Sequence, residues 1–224
     1  SFSAGDIKLP GMVIDDKQPR AVFPHQESVQ SYLRKKVPPS FAILALDPGG
    51  GKTGQGVIDM ACMVKDMLEV GTVVKPLVIC PNGLINQWCE DMKYFVGANW
   101  NAFPLSAAVM ARWGEKRLLE TAANAPPNTI FIASMTFIQG RNKRVCIGNA
   151  QVNFSANLEF IRRLGCNYIA IDESHNLKSF GSARHRAVKI LTTSTAVKWL
   201  RLLTGTIMPD RAKDIEGQIA LKTP

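Results

Sequence analysis

Phe41-Ala-Ile-Leu-Ala-Leu-Asp47-Pro-Gly-Gly-Gly51-Lys52-Thr53 is the stretch that decides the fold. Its first half is an unbroken apolar run, the pattern of a strand buried on both faces, and it stops at a Pro-Gly-Gly-Gly cluster. Beyond it Val57, Met60, Ala61, Val64, Met67 and Leu68 recur at helical spacing until Gly71, a natural helix stop. Strand, glycine turn and amphipathic helix make half of a βαβ unit. The turn carries chemistry as well. Gly49, Gly50 and Gly51 let backbone N–H groups turn inward on phosphate oxygens, Lys52 adds a point charge, and Thr53 offers a hydroxyl to Mg2+. Leu46 stands where the complete phosphate-loop pattern has its first glycine, so a glycine-rich helix start without a ligand is the alternative.

Outward from this turn the pattern repeats. KPLVICP (Lys75 to Pro81), TIFIAS (Thr129 to Ser134), YIAID (Tyr168 to Asp172) and WLRLLTG (Trp199 to Gly205) are further apolar runs, separated by helical or loop segments such as Leu84 to Phe95. A short helix is predicted from Gln26 to Arg34. This alternation predicts an α/β fold with a mostly parallel central sheet covered by helices on both sides. Ligands of such sheets sit at the carboxyl ends of the strands.

Length and charge set the outer bounds. A chain of 224 residues buries about 70% of its unfolded surface, enough for one core and too little for two ordinary domains. With 46% hydrophobic and 20% charged residues the composition is globular, not that of a disordered or fibrous chain. The formal charge of +9 favours a polyanionic partner such as nucleic acid, an anionic membrane surface being the other candidate. No apolar run approaches the ~20 residues of a membrane helix, and the first residues, SFSAGDIKLPG, lack the pattern of a secretion signal. The expectation is an intracellular protein without a membrane partner. Cys62, Cys80, Cys89, Cys146 and Cys166 are scattered, without zinc spacing, and read as reduced packing residues.

At the end of the YIAID run come two adjacent carboxylates, Asp172 and Glu173, followed by Ser174 and His175. Acidic residues after a strand often cap helices. Beside a phosphate loop they acquire a second meaning: a nucleotide-hydrolysing site needs one carboxylate to hold Mg2+ through its water shell and another to orient or deprotonate the attacking water. Asp172 suits the first role and Glu173 the second. Thr204 and Thr206 flank Gly205 at another strand end, where they could bond to His175.

In this order the motifs resemble the first RecA-like lobe of superfamily two helicases, and more closely the Swi/Snf-type DNA-translocating ATPases. DPGGGKTGQ is similar to that group's DEMGLGKTIQ, LVICPNGLINQW to LVVCPLSLLNQW, IDESHNLKS to LDEAHRLKN and LLTGTIMPD to LLTGTPLQN. The similarity runs from Gln26 to Asp210. It implies a RecA-like P-loop three-layer sandwich over residues 25–224, preceded by an N-terminal arm of residues 1–24, with ATP and Mg2+ as its ligands. Lys52 and Thr53 would bind triphosphate and metal, Asp172 and Glu173 would act as metal holder and catalytic base, and Gln26 would read the adenine edge. His175, Thr204 and Thr206 would couple the nucleotide to the nucleic acid, and the loops Pro81, Asn82, Gly83 and Ser134, Met135, Thr136 would track a DNA strand. Ile207 replaces the proline usual after TGT, Asp210 an asparagine, and Ser174 an alanine or glycine.

Arg141, Lys143 and Arg144, then Arg162 and Arg163, then Arg184, His185, Arg186 and Lys189, form basic clusters. Singly they read as solvated faces; as a set beside a helicase-like lobe they suit a sequence-tolerant phosphate surface. Trp88, Trp100, Trp113 and Trp199 sit within apolar patterns and read as core. Two other functions stay open: a P-loop nucleotide kinase, and a lobe that binds nucleic acid or protein without hydrolysis. The resembling families sandwich ATP between two lobes, the second supplying an arginine finger. The chain ends soon after TGT and begins without Met, so it is expected to be either a fragment of a larger protein or a one-lobed relative, with double-stranded DNA and a second lobe, in cis or in trans, as partners and poor hydrolysis by itself.

Overall fold

The structure, a computed structural model, describes residues 24–34, 39–46, 51–97, 99–140, 142–147, 150–177, 179, 181–194, 196–205 and 213–221. In chain order the elements are α1 (Pro24–Arg34), β1 (Ser40–Ala45), α2 (Lys52–Glu69), β2 (Pro76–Cys80), α3 (Ile85–Val96), β3 (Asn101–Leu105), α4 (Ala107–Trp113), α5 (Glu115–Ala123), β4 (Thr129–Ser134), α6 (Met135–Gln139), β5 (Asn142–Ile147), β6 (Ala150–Ser155), α7 (Ala156–Arg163), β7 (Tyr168–Ile171), α8 (Ala183–Thr192), β8 (Trp199–Thr204) and α9 (Lys213–Ile219). Two single 3-10 turns, Asn82–Leu84 and Ser174–Leu177, follow β2 and β7.

Each apolar run became a strand because it is apolar on both faces. Six strands form one sheet in the order β1-β8-β7-β2-β4-β3, and every neighbouring pair is parallel. Successive residues feed opposite layers. Val78 and Cys80 join a cluster with Met60 and Val64 of α2 and with Trp88 and Met92 of α3. Leu77 and Ile79 join Leu118 of α5, Ile138 of α6, Phe160 of α7 and Val188 of α8. The result is the expected sandwich of helix, sheet and helix, in which each fully buried aliphatic side chain contributes about 1.5–3 kcal/mol. α2 lies especially close to the sheet at Gly56, where a Cβ would stand 2.9 Å from Leu203 Cδ1.

Three strands were not foreseen. β3 contains Pro104, which ordinarily argues against a strand; it is tolerated because β3 lies at the sheet's margin and pairs only with β4 among the described residues. β5 and β6 form a separate antiparallel hairpin with Val145 opposite Val152, and it is here, on β5, that Lys143 and Arg144 lie.

The core also holds a polar knot. Arg201 of β8 and Asp59 of α2 are both fully buried and joined by Arg201 Nε donating to Asp59 Oδ2 at 2.7 Å. Tyr168 of β7 donates its hydroxyl to the same oxygen at 2.5 Å, and Arg201 Nη1 donates to Ser40 Oγ of β1 at 3.1 Å. Burial and the Asp59 charge hold the Tyr168 phenol well above its usual range, so it stays a donor. Cys62, Cys80 and Cys166 are buried and outside any disulfide, as their apolar settings predict, and burial pushes the Cys80 and Cys166 thiols up to about 12. Among the described residues no helix is long and apolar enough to cross a membrane.

Candidate nucleotide site

β1, β8 and β7 are successive neighbours in the sheet, so the segments leaving their carboxyl ends meet on one rim. After β1, Gly51 adopts φ 77°, the left-handed conformation that glycine takes without strain, and turns the chain into α2. Among the described residues no side chain caps that helix, and no acidic residue stands in its first turn. The free N–H groups and the positive end of an 18-residue helix therefore face the loop and suit an anion. Lys52, the first residue of α2, lays its Nζ 3.5 Å from the Leu46 carbonyl, beyond the end of β1. Thr53 follows, half-buried.

After β7 the chain turns sharply. Asp172 is 3% exposed, and both of its carboxylate oxygens are engaged: Trp88 Nε1 donates to Oδ2 at 2.9 Å and the Glu173 N–H donates to Oδ1 at 2.8 Å. Its own N–H donates to the Ile79 carbonyl of β2 at 2.8 Å. Glu173 has φ 49° and is the one non-glycine residue with positive φ among the described residues. Such a conformation costs about 1–3 kcal/mol and persists only where surrounding bonds enforce it. His175 Nδ1 stands 3.1 Å from Glu173 Oε2 and 3.2 Å from Thr204 Oγ1, so the predicted contact between the acidic turn and the end of β8 is present.

Burial raises the pKa of Asp172 above its ordinary value. The Trp88 and Glu173 N–H bonds and the charge of Lys52 oppose that rise, while the Glu173 carboxylate adds to it. Each Asp172 oxygen keeps a second lone pair, and a hydroxyl and a desolvated carboxylate are hard oxygen donors of the kind Mg2+ takes. The donor set fits that cation.

The other predicted site residues divide. Gln26 lies on α1 with its side chain outside the described residues, and Gly49, Gly50, Thr206 and Arg141 lie outside them altogether, as do the side chains of Lys143 and Arg144. Asn82 and Gly83 are exposed in the 3-10 turn after Pro81, and a Cβ at Gly83 would meet nothing within 4 Å. Ser134 and Met135 are buried instead of open to a ligand; Ser134 Oγ accepts from the Phe137 N–H at 3.0 Å and starts α6, leaving Thr136 as the exposed member of that trio. Within the basic clusters Arg162 pairs with Glu159 and Arg163 with Glu115. His185 is 1% exposed and its Nε2 is bonded to the Gly217 carbonyl at 2.9 Å, so it is a structural histidine.

A family model described as SNF2-related domain matches residues 25–221. The chain belongs to the SNF2-related domain family. No curated protein matches it. Among solved structures it is similar to the Sulfolobus solfataricus SWI2/SNF2 ATPase core in complex with dsDNA, with a TM-score of 0.59 and 19% identity over 92% of this chain. The chain spans 36% of that core's length. At that identity the likeness is one of fold, and it agrees with the RecA-like sandwich expected from the motifs.

Three contributions to this SNF2-related site were not read from the sequence. Trp88 packs as expected, at 1% exposure, yet it is also the donor that braces Asp172. Gln55 of α2 accepts from Gln30 of α1 at 2.8 Å, fastening the helix that carries Gln26 to the one that carries Lys52. Ser174 is fully buried and donates to Gln218 of α9 at 2.8 Å. A buried donor beside an acidic turn leaves no local spacing signal; a hydroxyl within an acidic motif whose other members are accounted for is the signal that could have pointed to Ser174.

Proposed function

We propose that this chain is the ATP-binding motor lobe of a nucleic-acid-dependent ATPase that uses ATP hydrolysis to move on double-stranded DNA inside the cell. The arrangement that carries the reading is the turn after β7, where Asp172 and Glu173 stand on the same rim as Lys52 and His175 joins Glu173 to Thr204. Lys52 and the first N–H groups of α2 bind the phosphates, and Thr53 and Asp172 hold the cation. Mg2+, when bound, neutralises charge that develops on the phosphates. Glu173 orients the attacking water and takes its proton, and His175 carries the state of that carboxylate to the end of β8. The exposed Asn82–Gly83 turn and Thr136 supply backbone and hydroxyl donors for a phosphate strand.

Double-stranded DNA is the favoured polymer because of family membership and the +9 charge. A second RecA-like lobe, in cis or in trans, closes the site, consistent with a chain that covers about a third of its structural neighbour. Turnover of ATP by this chain, with and without a second lobe, should be measured against added duplex DNA, single-stranded DNA and RNA. Stimulation by duplex DNA that Lys52→Ala abolishes is expected. Phosphoryl transfer to a nucleoside monophosphate regardless of DNA would instead make the chain a kinase, and nucleic-acid binding without turnover in any combination would make it a binding lobe.

A further inference from the structure

Ser174 sits directly after the strained Glu173, has no exposed surface, and donates its hydroxyl proton to Gln218 Oε1 at 2.8 Å; Gln218 is also fully buried. The segment carrying Gln218 is seated by two more side-chain contacts from α8. His185 Nε2 lies 2.9 Å from the Gly217 carbonyl, and Thr192 Oγ1 donates to the Leu221 carbonyl at 2.5 Å. Leu221 is itself in the core cluster under this face of the sheet. α9 and the two residues after it are thus fixed by buried polar contacts at Gly217, Gln218 and Leu221, and the contact at Gln218 reaches the acidic turn. On the other side of the same turn, Asp172 is held by Trp88 of α3.

We infer that Ser174 and Gln218 are positioning residues, through which the placement of α9 sets the conformation of the Asp172–Glu173 turn. The argument is one of enforcement. The left-handed backbone of Glu173 is unfavourable for a residue with a side chain and must be imposed by its neighbours. On its amino side the turn is held by Asp172, whose N–H is bonded to Ile79 and whose carboxylate is bonded to Trp88. On its carboxyl side the Glu173 carbonyl accepts from Asn176, at 3.0 Å from N and 3.1 Å from Nδ2, contacts made within the turn itself. Beside the His175–Thr204 contact, Ser174 adds a second long-range restraint on this side, crossing 44 positions to an element that follows β8 in the chain. A shift of α9 therefore draws on Ser174 and alters the turn that presents Glu173. This rests on the proposed role of Asp172 and Glu173 for its functional meaning, while its test needs no hydrolysis.

The test uses hydrogen exchange of the tryptophan indole N–H groups in the full chain, read by NMR, with Trp88→Phe serving only to assign the Trp88 signal. Trp100 and Trp199, each 2% exposed, are the buried controls. Ser174→Ala and Gln218→Leu are each expected to speed exchange at Trp88 by roughly fivefold or more, the factor that loss of one buried hydrogen bond carries, without the same change at Trp100 and Trp199. Ser174→Thr, which keeps the hydroxyl, should return Trp88 to the original rate. An unchanged Trp88 rate in both variants overturns the inference. So does equal acceleration at all three indoles, which would make the bond an ordinary contributor to stability. Absence of ATP turnover would count against the motor reading and would leave these rates fully interpretable.

Discussion

The Trp88 indole donates to Asp172 Oδ2 at 2.9 Å, so one side chain serves both as a core residue beneath the sheet and as a brace for the proposed metal-holding carboxylate. Trp88→Phe preserves much of the apolar contact and deletes the donor. It is expected to cost about 1–3 kcal/mol of stability, because a buried acceptor loses its partner, and to push the Asp172 pKa further up by removing one of the bonds that oppose its rise. Chemical unfolding gives the first quantity and the pH dependence of Mg2+-linked nucleotide binding gives the second; no change in either would detach Trp88 from the site.

Glu173→Gln keeps the size and loses the carboxylate proposed as the base. Nucleotide affinity is expected to stay within a few-fold, while turnover falls by about 10²–10⁴, the usual contribution of a positioned general base. Lys52→Ala acts one step earlier and should weaken nucleotide binding by roughly tenfold or more, since a charged hydrogen bond contributes about 1.5–3 kcal/mol. A fluorescent nucleotide titration paired with a phosphate-release assay separates the two. Normal turnover in the Gln variant would remove Glu173 from the base role.

The raised pKa of Asp172 makes two pH effects run in opposite directions. Between the ordinary value of 3.8 and the raised one, the native chain holds a proton that the unfolded chain has released, so this group's contribution to stability is present at low pH and is lost as pH rises through the raised value. Cation binding needs the carboxylate. The Mg2+-dependent part of nucleotide affinity should therefore decline on acidification, starting at higher pH than for an ordinary aspartate, and Asp172→Asn should flatten that dependence. Titrations with and without Mg2+, carried from neutral pH down through the ordinary aspartate range, follow the decline. A decline confined to the ordinary aspartate range would contradict the raised value.

The Asp59–Arg201 pair gives a stability prediction free of any functional assumption. Removing either partner alone strands a buried charge and is expected to cost about 3–5 kcal/mol. Asp59 Oδ1 and Arg201 Nη2 find no partner among the described residues, so the pair is incompletely satisfied. Replacing both by apolar residues of similar volume, as in Asp59→Leu with Arg201→Met, should then cost well under the sum of the single changes. Denaturant unfolding of the four proteins decides it, and strict additivity would show the two residues to be energetically independent.

Strand positions were legible because burial on both faces leaves a continuous apolar signature; Thr129–Ser134 coincides with its run, and β1, β2, β7 and β8 differ from theirs by one or two residues. β3 escaped because a strand at the margin can carry Pro104 and an exposed Asn101, which breaks the signature. The hairpin escaped because its positive charges were read as a surface and Lys143-Arg144-Val145-Cys146-Ile147 shows no polar and apolar alternation to mark a strand. The residues of the acidic turn were legible by type and order. Their braces were not: Trp88 is 84 positions from Asp172, Gln218 is 44 from Ser174, and Arg201 is 142 from Asp59, separations at which only the folded chain reveals a partner.

The bond from the Asp172 N–H to the Ile79 carbonyl joins the strand that leads into the acidic turn to the strand that leads, two residues later, into Pro81, Asn82 and Gly83. Parallel strands laced together in this way resist sliding past one another. The rim that carries the acidic turn and the exposed turn after β2 therefore behave as two points on one stiff plate. A ratchet built on this lobe could not take its stroke from slippage between those points; the displacement would have to arise at a joint outside the sheet, with the plate carried along whole.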